Sequence, residues 1–174
     1  NGYYYLMIAE GGTGYGHYEV LARSRSVWGP FQPCPFNPIL HQPNRDAAIQ
    51  KVGHGKLVQT QYGDWWMLHL GARPIRDKYC NLGRETFLQP VTWTHDGWFF
   101  IGDDRLPMEQ CTAPMIPEDK SCSRSYSDDF NDDSLGLQWE FVRNPHDECW
   151  SLKERPGYFR IKTRDQDLCS LNAK

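Results

Sequence analysis

The chain contains no run of about 18 apolar residues, the length that a bilayer-crossing helix needs. No stretch of about ten residues repeats its apolar positions with helical spacing, so no amphipathic helix is predicted. Basic residues are not in excess. Nineteen Lys and Arg against 22 Asp and Glu leave a net charge of −3. Neither nucleic acid nor a membrane surface is therefore an expected partner, because either calls for a basic patch. The six cysteines, at 34, 80, 111, 122, 149 and 169, include no Cys-x-x-Cys pair. That spacing argues against a zinc site. The even count suits disulfides and scattered thiols equally well. A leader pattern is lacking as well. Asn1-Gly2 is a hairpin-type dipeptide that runs directly into a strand, so the chain reads as beginning inside a domain.

Aromatic residues and turn formers are abundant. There are 7 Trp and 9 Tyr, with 15 Gly and 12 Pro. Short strands separated by turn residues point to an all-β architecture. Most of the rings are expected to fill a β core. Exposed rings would also suit the C–H-rich faces of sugars.

Residues 1–102 read as a succession of short strands. Tyr3 to Ala9 is apolar on both faces and is predicted to be a buried strand. In His17 to Ser24, Tyr18, Val20 and Ala22 alternate with His17, Glu19 and Arg23, the pattern of a half-buried strand. Trp28 to Phe31 is a turn, and Cys34 to Leu40 is extended and broken by prolines. Lys56–Gln61 and Trp65–Leu70 form a hairpin about Tyr62-Gly63-Asp64. Thr86–Thr94 and Trp98–Ile101 form another about His95-Asp96-Gly97, where Asp-Gly is a strong turn signal. Groups of four such strands suggest propeller blades. At roughly 40–50 residues per blade, this region makes two, and two blades cannot close a ring. Residues 103–125 read as a linker, rich in Pro, Ser and charge. From Tyr126 a second β unit opens, with strands about Trp150 and Tyr158–Ile161. Its length is short of the roughly 100 residues of a complete β-sandwich. The chain is thus expected to be an internal fragment of a longer protein.

Glu10 is the first candidate for chemistry. It ends the first strand and is followed by Gly11, Gly12 and Thr13. A carboxyl at the mouth of a buried strand would be partly desolvated, which favours its protonated form, as a general acid requires. The two glycines leave room beside it for a bulky ligand. The alternative is a glutamate solvated in a turn. His54 lies between Gly53 and Gly55, where a ligand or ion can approach closely; the alternative is a hydrogen-bonded core histidine. The Arg84 guanidinium can fork onto hydroxyl groups or hold a carboxyl in place. Its alternative is an ion pair with Glu85 or another carboxylate. Glu85 itself, on the opposite side of its strand, reads as structural, and His17 and His69 are weaker candidates. Asp128, Asp129, Asp132 and Asp133 read as a solvated acidic turn rather than a calcium site.

Three motifs occur in order: Ala9-Glu10-Gly11-Gly12-Thr13, with Gly14-Tyr15-Gly16-His17 behind it; Gly53-His54-Gly55 leading into Leu57-Val58-Gln59-Thr60; and Leu82-Gly83-Arg84-Glu85-Thr86. With Trp65-Trp66, Arg73-Pro74 and Asp96-Gly97-Trp98 around them, they resemble glycoside hydrolase family 43, in its β-xylosidase and α-L-arabinofuranosidase branch. The resemblance implies the last two blades of a five-bladed β-propeller over residues 1–102. It implies a linker over 103–125 and the beginning of a β-sandwich over 126–174. It also implies an inverting, exo-acting glycosidase whose substrate is a xylo- or arabino-oligosaccharide. Inversion needs an acid on the leaving oxygen and a base that activates water on the opposite face. In this resemblance Glu10 is the general acid, and Arg84 and His54 are substrate-binding residues. His54 would face the propeller axis, near a structural calcium reached through water; no cofactor is required. The base and a second aspartate that tunes the acid would precede residue 1, and the isolated chain is expected to be nearly inactive. The competing reading is a non-catalytic carbohydrate-binding β module.

Overall fold

The computed structural model of the protein describes residues 2–75, 78–118, 127–141 and 145–163. The chain divides into two compact units, Asn1–Pro117 and Glu118–Lys174. The first holds two antiparallel sheets. In one, β1 (Tyr4–Glu10), β2 (Tyr18–Ser24) and β3 (Gln32–Pro33) lie in chain order. In the other, β4 (Gln50–Gln59), β5 (Trp65–Ala72), β6 (Glu85–Trp93) and β7 (Phe99–Ile101) form a four-stranded meander. No α-helix occurs among the described residues.

Two of the three connections of the meander, β4–β5 and β6–β7, close in the same way, on a threonine. The Thr60 amide donates to the Asp64 carbonyl at 2.8 Å, and the Thr94 amide donates to the Trp98 carbonyl at 2.8 Å. The Thr60 hydroxyl accepts from the Asp64 amide, and that of Thr94 from the Trp98 amide. Gly63 and Gly97 take the positive φ that each turn needs. Strand β4 starts at Gln50, well before Lys56, where regular alternation begins. Its first half carries two register shifts, between Gln50 and Gly53 and between Gly53 and Lys56. A bulge interrupts the period of two, so that part of the strand does not read as one.

The core lies between the two sheets. Leu21 from the first, with Ile39 and Leu40 from the segment after β3, meets Val52, Met67, Phe99 and Ile101 from the second. Tyr5, Trp93 and Phe99 add an aromatic cluster, with ring centroids 4.8–5.7 Å apart. Each of these aliphatic side chains, fully buried, contributes roughly 1.5–3 kcal/mol.

Two strands differ from their sequence reading. In β1 only Tyr5, Met7 and Ala9 are partly buried; Tyr4, Leu6, Ile8 and Glu10 are exposed. Among the described residues nothing covers the face that carries Tyr4, Leu6 and Ile8. In β2 the expected faces are exchanged. His17, Glu19, Leu21 and Arg23 are buried, while Tyr18, Val20 and Ala22 are half-buried. Arg23 tolerates this because its guanidinium lies over the rings of Tyr3, at 4.3 Å, and Trp98, at 3.9 Å. It also donates to the Asp96 carbonyl at 2.6 Å. Aromatic faces and a carbonyl replace the water that the cation loses.

Residues 103–108 are held on the first unit. The Gln89 side chain exchanges two hydrogen bonds with the backbone of Met108, and Arg105 donates to the Phe36 carbonyl. Residues 119–126, which include the end of the predicted linker and Tyr126, lie outside the described residues. In the second unit, β8 (Trp150–Ser151) pairs with β9 (Arg160–Ile161). Phe130, Trp139, Phe141, Trp150 and Phe159 form its aromatic cluster. Asp128 serves a turn, accepting from the Phe130 amide, Gln138 and the Trp139 indole.

Candidate active site

Strand β1 delivers Glu10 to the end of its sheet, directly across from Tyr18 on β2. The loop between them turns on Gly11, at φ +74°, where an added Cβ would run into the Gly16 carbonyl. No other residue fits that position without moving the loop. The Tyr18 hydroxyl donates to Glu10 Oε2 at 2.9 Å. That bond, and then the negative charge of Glu10, raise the Tyr18 phenol above its ordinary value. The phenol therefore remains a donor throughout the neutral range. His17 binds the backbone of the same residue, its Nδ1 2.9 Å from the Glu10 carbonyl. A carbonyl can only accept, so Nδ1 carries the proton. The Glu10 carboxyl itself is exposed. The sequence led to the expectation of a buried strand end, and the described residues leave it open.

His54 sits at φ +58° in the bulge of β4, a conformation that non-glycine residues seldom adopt. Its neighbours on both sides are buried glycines, while its own side chain is exposed. Gly53 is packed directly against His17, and a Cβ there would lie 2.5 Å from Nε2. The Gly55 amide donates to Glu19 Oε2 at 3.1 Å. Glu19 is 2% exposed, and burial raises its carboxyl above the usual range, against the lowering effect of the Gly55 and His54 amides. His69 is a core residue. It stacks on Phe87, donates from Nδ1 to the Leu70 carbonyl, and is pushed down by burial.

Arg84 lies just before β6 and is exposed. It makes no ion pair among the described residues, since the neighbouring Glu85 is taken. Arg73 holds Glu85 with Nε and Nη2, the shorter contact being 2.6 Å. That pairing draws the Glu85 carboxyl below its ordinary value. Arg84 lines an open cleft of about 630 Å³ together with Lys51, Lys78, Tyr79 and Thr13, the last from the loop that Glu10 opens. Tyr15, in the same loop, donates to the Lys78 carbonyl at 2.8 Å and so ties the two sheets together at this end. The structure thus brings the Glu10 loop and Arg84 to one cleft. It links Glu10 to the His54 bulge through His17 and Glu19.

Calcium takes six to eight oxygen ligands. Among the described residues, no group of three or more His, Cys, Asp or Glu side chains stands close enough to hold a metal ion. His54 offers a ring nitrogen, and Glu19 is occupied by backbone amides. The described residues do not by themselves make up a calcium site. The four described cysteines, Cys34, Cys80, Cys111 and Cys149, are free thiols.

Tyr18 and Glu19 went unnoticed as site residues in the sequence. The register of β1 on β2 places Tyr18 opposite Glu10, and only a hairpin pairing fixed in advance would have found it. Glu19 was hidden by its alternation pattern, which assigned it to solvent.

Comparison with known proteins decides the lineage. Residues 1–99 match the family described as glycosyl hydrolases family 43, and residues 127–174 match the β-xylosidase C-terminal concanavalin A-like domain. The chain belongs to glycosyl hydrolase family 43. Among family 43 relatives, the non-reducing end α-L-arabinofuranosidase BoGH43B of Bacteroides ovatus is 50% identical over 161 residues, which cover 92% of this chain and 30% of that protein. A β-xylosidase of Bacillus subtilis is 36% identical over 173 residues, covering 91% and 32%. The solved structure of the family 43 protein BlXynB from Bacillus licheniformis superposes with a TM-score of 0.85 at 53% identity, covering 96% of this chain and 32% of that one. The chain therefore spans about a third of the length of the relatives it matches. Its fold is all-β: the last two blades of a five-bladed β-propeller, followed by the beginning of a β-sandwich.

Proposed function

We propose that this chain is part of an inverting, exo-acting glycosidase that removes terminal xylose or arabinofuranose from hemicellulose oligosaccharides. The observation that carries the reading is the Glu10 loop: a carboxyl on a glycine turn, gripped at Oε2 by the Tyr18 hydroxyl, in a loop whose Thr13 lines the same cleft as Arg84. Glu10, protonated, gives its proton to the glycosidic oxygen as the bond to the departing sugar breaks. The base that activates water, and the carboxylate that tunes the acid, belong to parts of the propeller outside these residues. Arg84 and His54 bind the sugar hydroxyls. The names of the relatives, both arabinofuranosidase and β-xylosidase, support a pentose substrate.

The test is Glu10→Gln in the complete polypeptide. Loss of a general acid costs about 10²–10⁴-fold, and most where the leaving group is poor. Turnover of xylobiose or an arabino-oligosaccharide should therefore fall far more than turnover of p-nitrophenyl glycosides, which need little protonation. Sugar should still bind. Equal, small losses on both substrate types would refute the acid role and favour a carbohydrate-binding module.

A further inference from the structure

We propose that Glu19 and His17 are positioning residues that hold Glu10 and His54 at a fixed separation. The inference rests on the reading of those two residues as acid and pocket histidine. Both struts stand on β2 or its entry, immediately after the Glu10 loop. The backbone of Glu19 is held from the far side of β2: its amide donates to the Leu40 carbonyl and its carbonyl accepts from the Ile39 amide, each at 2.9 Å, while Ala9 of β1 stands opposite it in register. From that fixed base its side chain crosses to the other sheet and accepts the Gly55 amide at 3.1 Å, with the His54 amide also directed at it. His17 makes the second link. Its Nδ1–H holds the Glu10 carbonyl at 2.9 Å, and the other side of its ring abuts Gly53.

A buried carboxylate is poor value as a source of stability alone, since an apolar residue of the same volume would serve as well or better. What an apolar residue cannot do is select a backbone conformation. The bulge at 53–55 has that need. It interrupts the ladder with two register shifts, and it holds His54 in the left-handed region. Such conformations persist only where their surroundings over-determine them. Glu19 accepts the Gly55 amide within the interrupted stretch of the ladder, and His17 fills the space that Gly53 leaves open. The exposed side chain of His54 is thereby aimed through its own backbone. The charged groups that face Glu19 are His54 and Lys56.

Two measurements test this. In the complete polypeptide, amide hydrogen exchange is followed at Gly55 in Glu19→Ala and Glu19→Gln. Protection lost in the alanine variant and kept in the glutamine variant, which retains an acceptor oxygen of the same reach, supports the strut. Unchanged protection in both overturns it. In the complete polypeptide, steady-state turnover of xylobiose is compared among variants that remain folded by near-ultraviolet circular dichroism. A displacement of about 1 Å can cost about 10²-fold, so Glu19→Ala should lose kcat on that scale with KM little changed, and Glu19→Gln should restore most of it. Where Glu19→Ala does not accumulate, Glu19→Asp replaces it. Asp keeps the charge but loses the reach, and it must be slower than Glu19→Gln. The reverse order, or equal kcat in all variants, overturns the proposal. If Glu10→Gln in parallel keeps full turnover of xylobiose, the acid reading has failed, while the Gly55 exchange result still decides whether the strut exists.

Discussion

Replacing Gly53 by alanine places one methyl group where the structure leaves no space. The new Cβ would stand 2.5 Å from His17 Nε2, 2.6 Å from Cδ2 and 3.0 Å from Cε1. Contacts between such atoms belong at about 3.5–4.0 Å, so the imidazole must retreat by roughly 1 Å. It has nowhere easy to go. His17 is 6% exposed, and its Nδ1 is tied to the Glu10 carbonyl. Overpacking of this kind costs about 1–3 kcal/mol, and breaking the Nδ1 bond adds about 0.5–1.5 kcal/mol. Gly53→Ala should therefore lower stability by about 2–4 kcal/mol, read as a shift of the urea midpoint at constant slope. His17→Ala removes the obstacle together with its hydrogen bond. The double variant should be more stable than the sum of the two single losses predicts, with a coupling of about 1–3 kcal/mol. Additive losses would mean that ring and glycine do not press on one another, and the packing account of the bulge would fall.

Three further outcomes are expected. Arg23→Met keeps the aliphatic stem but loses the Tyr3 and Trp98 faces and the Asp96 carbonyl. It should cost roughly 2–4 kcal/mol in urea denaturation, and an unchanged midpoint would refute the buried-cation reading. Burial raises the Glu19 carboxyl in the folded state above its ordinary 4.5. As pH rises past that value the unfolded chain ionises first, so the contribution of Glu19 to stability declines with rising pH. Midpoints of Glu19→Gln measured from acid to neutral pH should fall less steeply than those of the parent, and parallel profiles would contradict the shift. Glu10 raises the Tyr18 phenol. In Glu10→Gln, a difference titration of phenolate absorbance should show one tyrosine ionising at lower pH than in the parent; identical curves would break the Tyr18–Glu10 link.

The hairpins were readable because turn chemistry is local. Asp96-Gly97 and Tyr62-Gly63-Asp64 require their conformations whatever surrounds them, and the flanking strands follow. The faces of β2 were not readable. Alternation says which residues share a face, but burial of that face depends on what packs against it. Arg23 lies inside because rings from residues 3 and 98 reach it, and Glu19 because amides from the other sheet do. The early half of β4 was missed for a related reason. Lys51, Gly53 and His54 break the period of two, and the bulge they form is held by residues more than thirty positions away. Glu10, His54 and Arg84 were legible as motif residues. Their links, through Tyr18, His17, Glu19 and Tyr15, were not, since each link is a contact between separate strands or loops.

The left-handed backbone at His54 also governs which replacements are informative there. Asparagine and glycine enter that region of conformational space at little cost, whereas valine, isoleucine and threonine resist it. A histidine-to-asparagine change would therefore subtract the imidazole and leave the bulge standing. A change to valine would disturb ring and backbone together. Among descendants of this sequence, drift at position 54 should run through asparagine or glycine. Wherever a branched residue appears there, the bulge around it is expected to have been rebuilt.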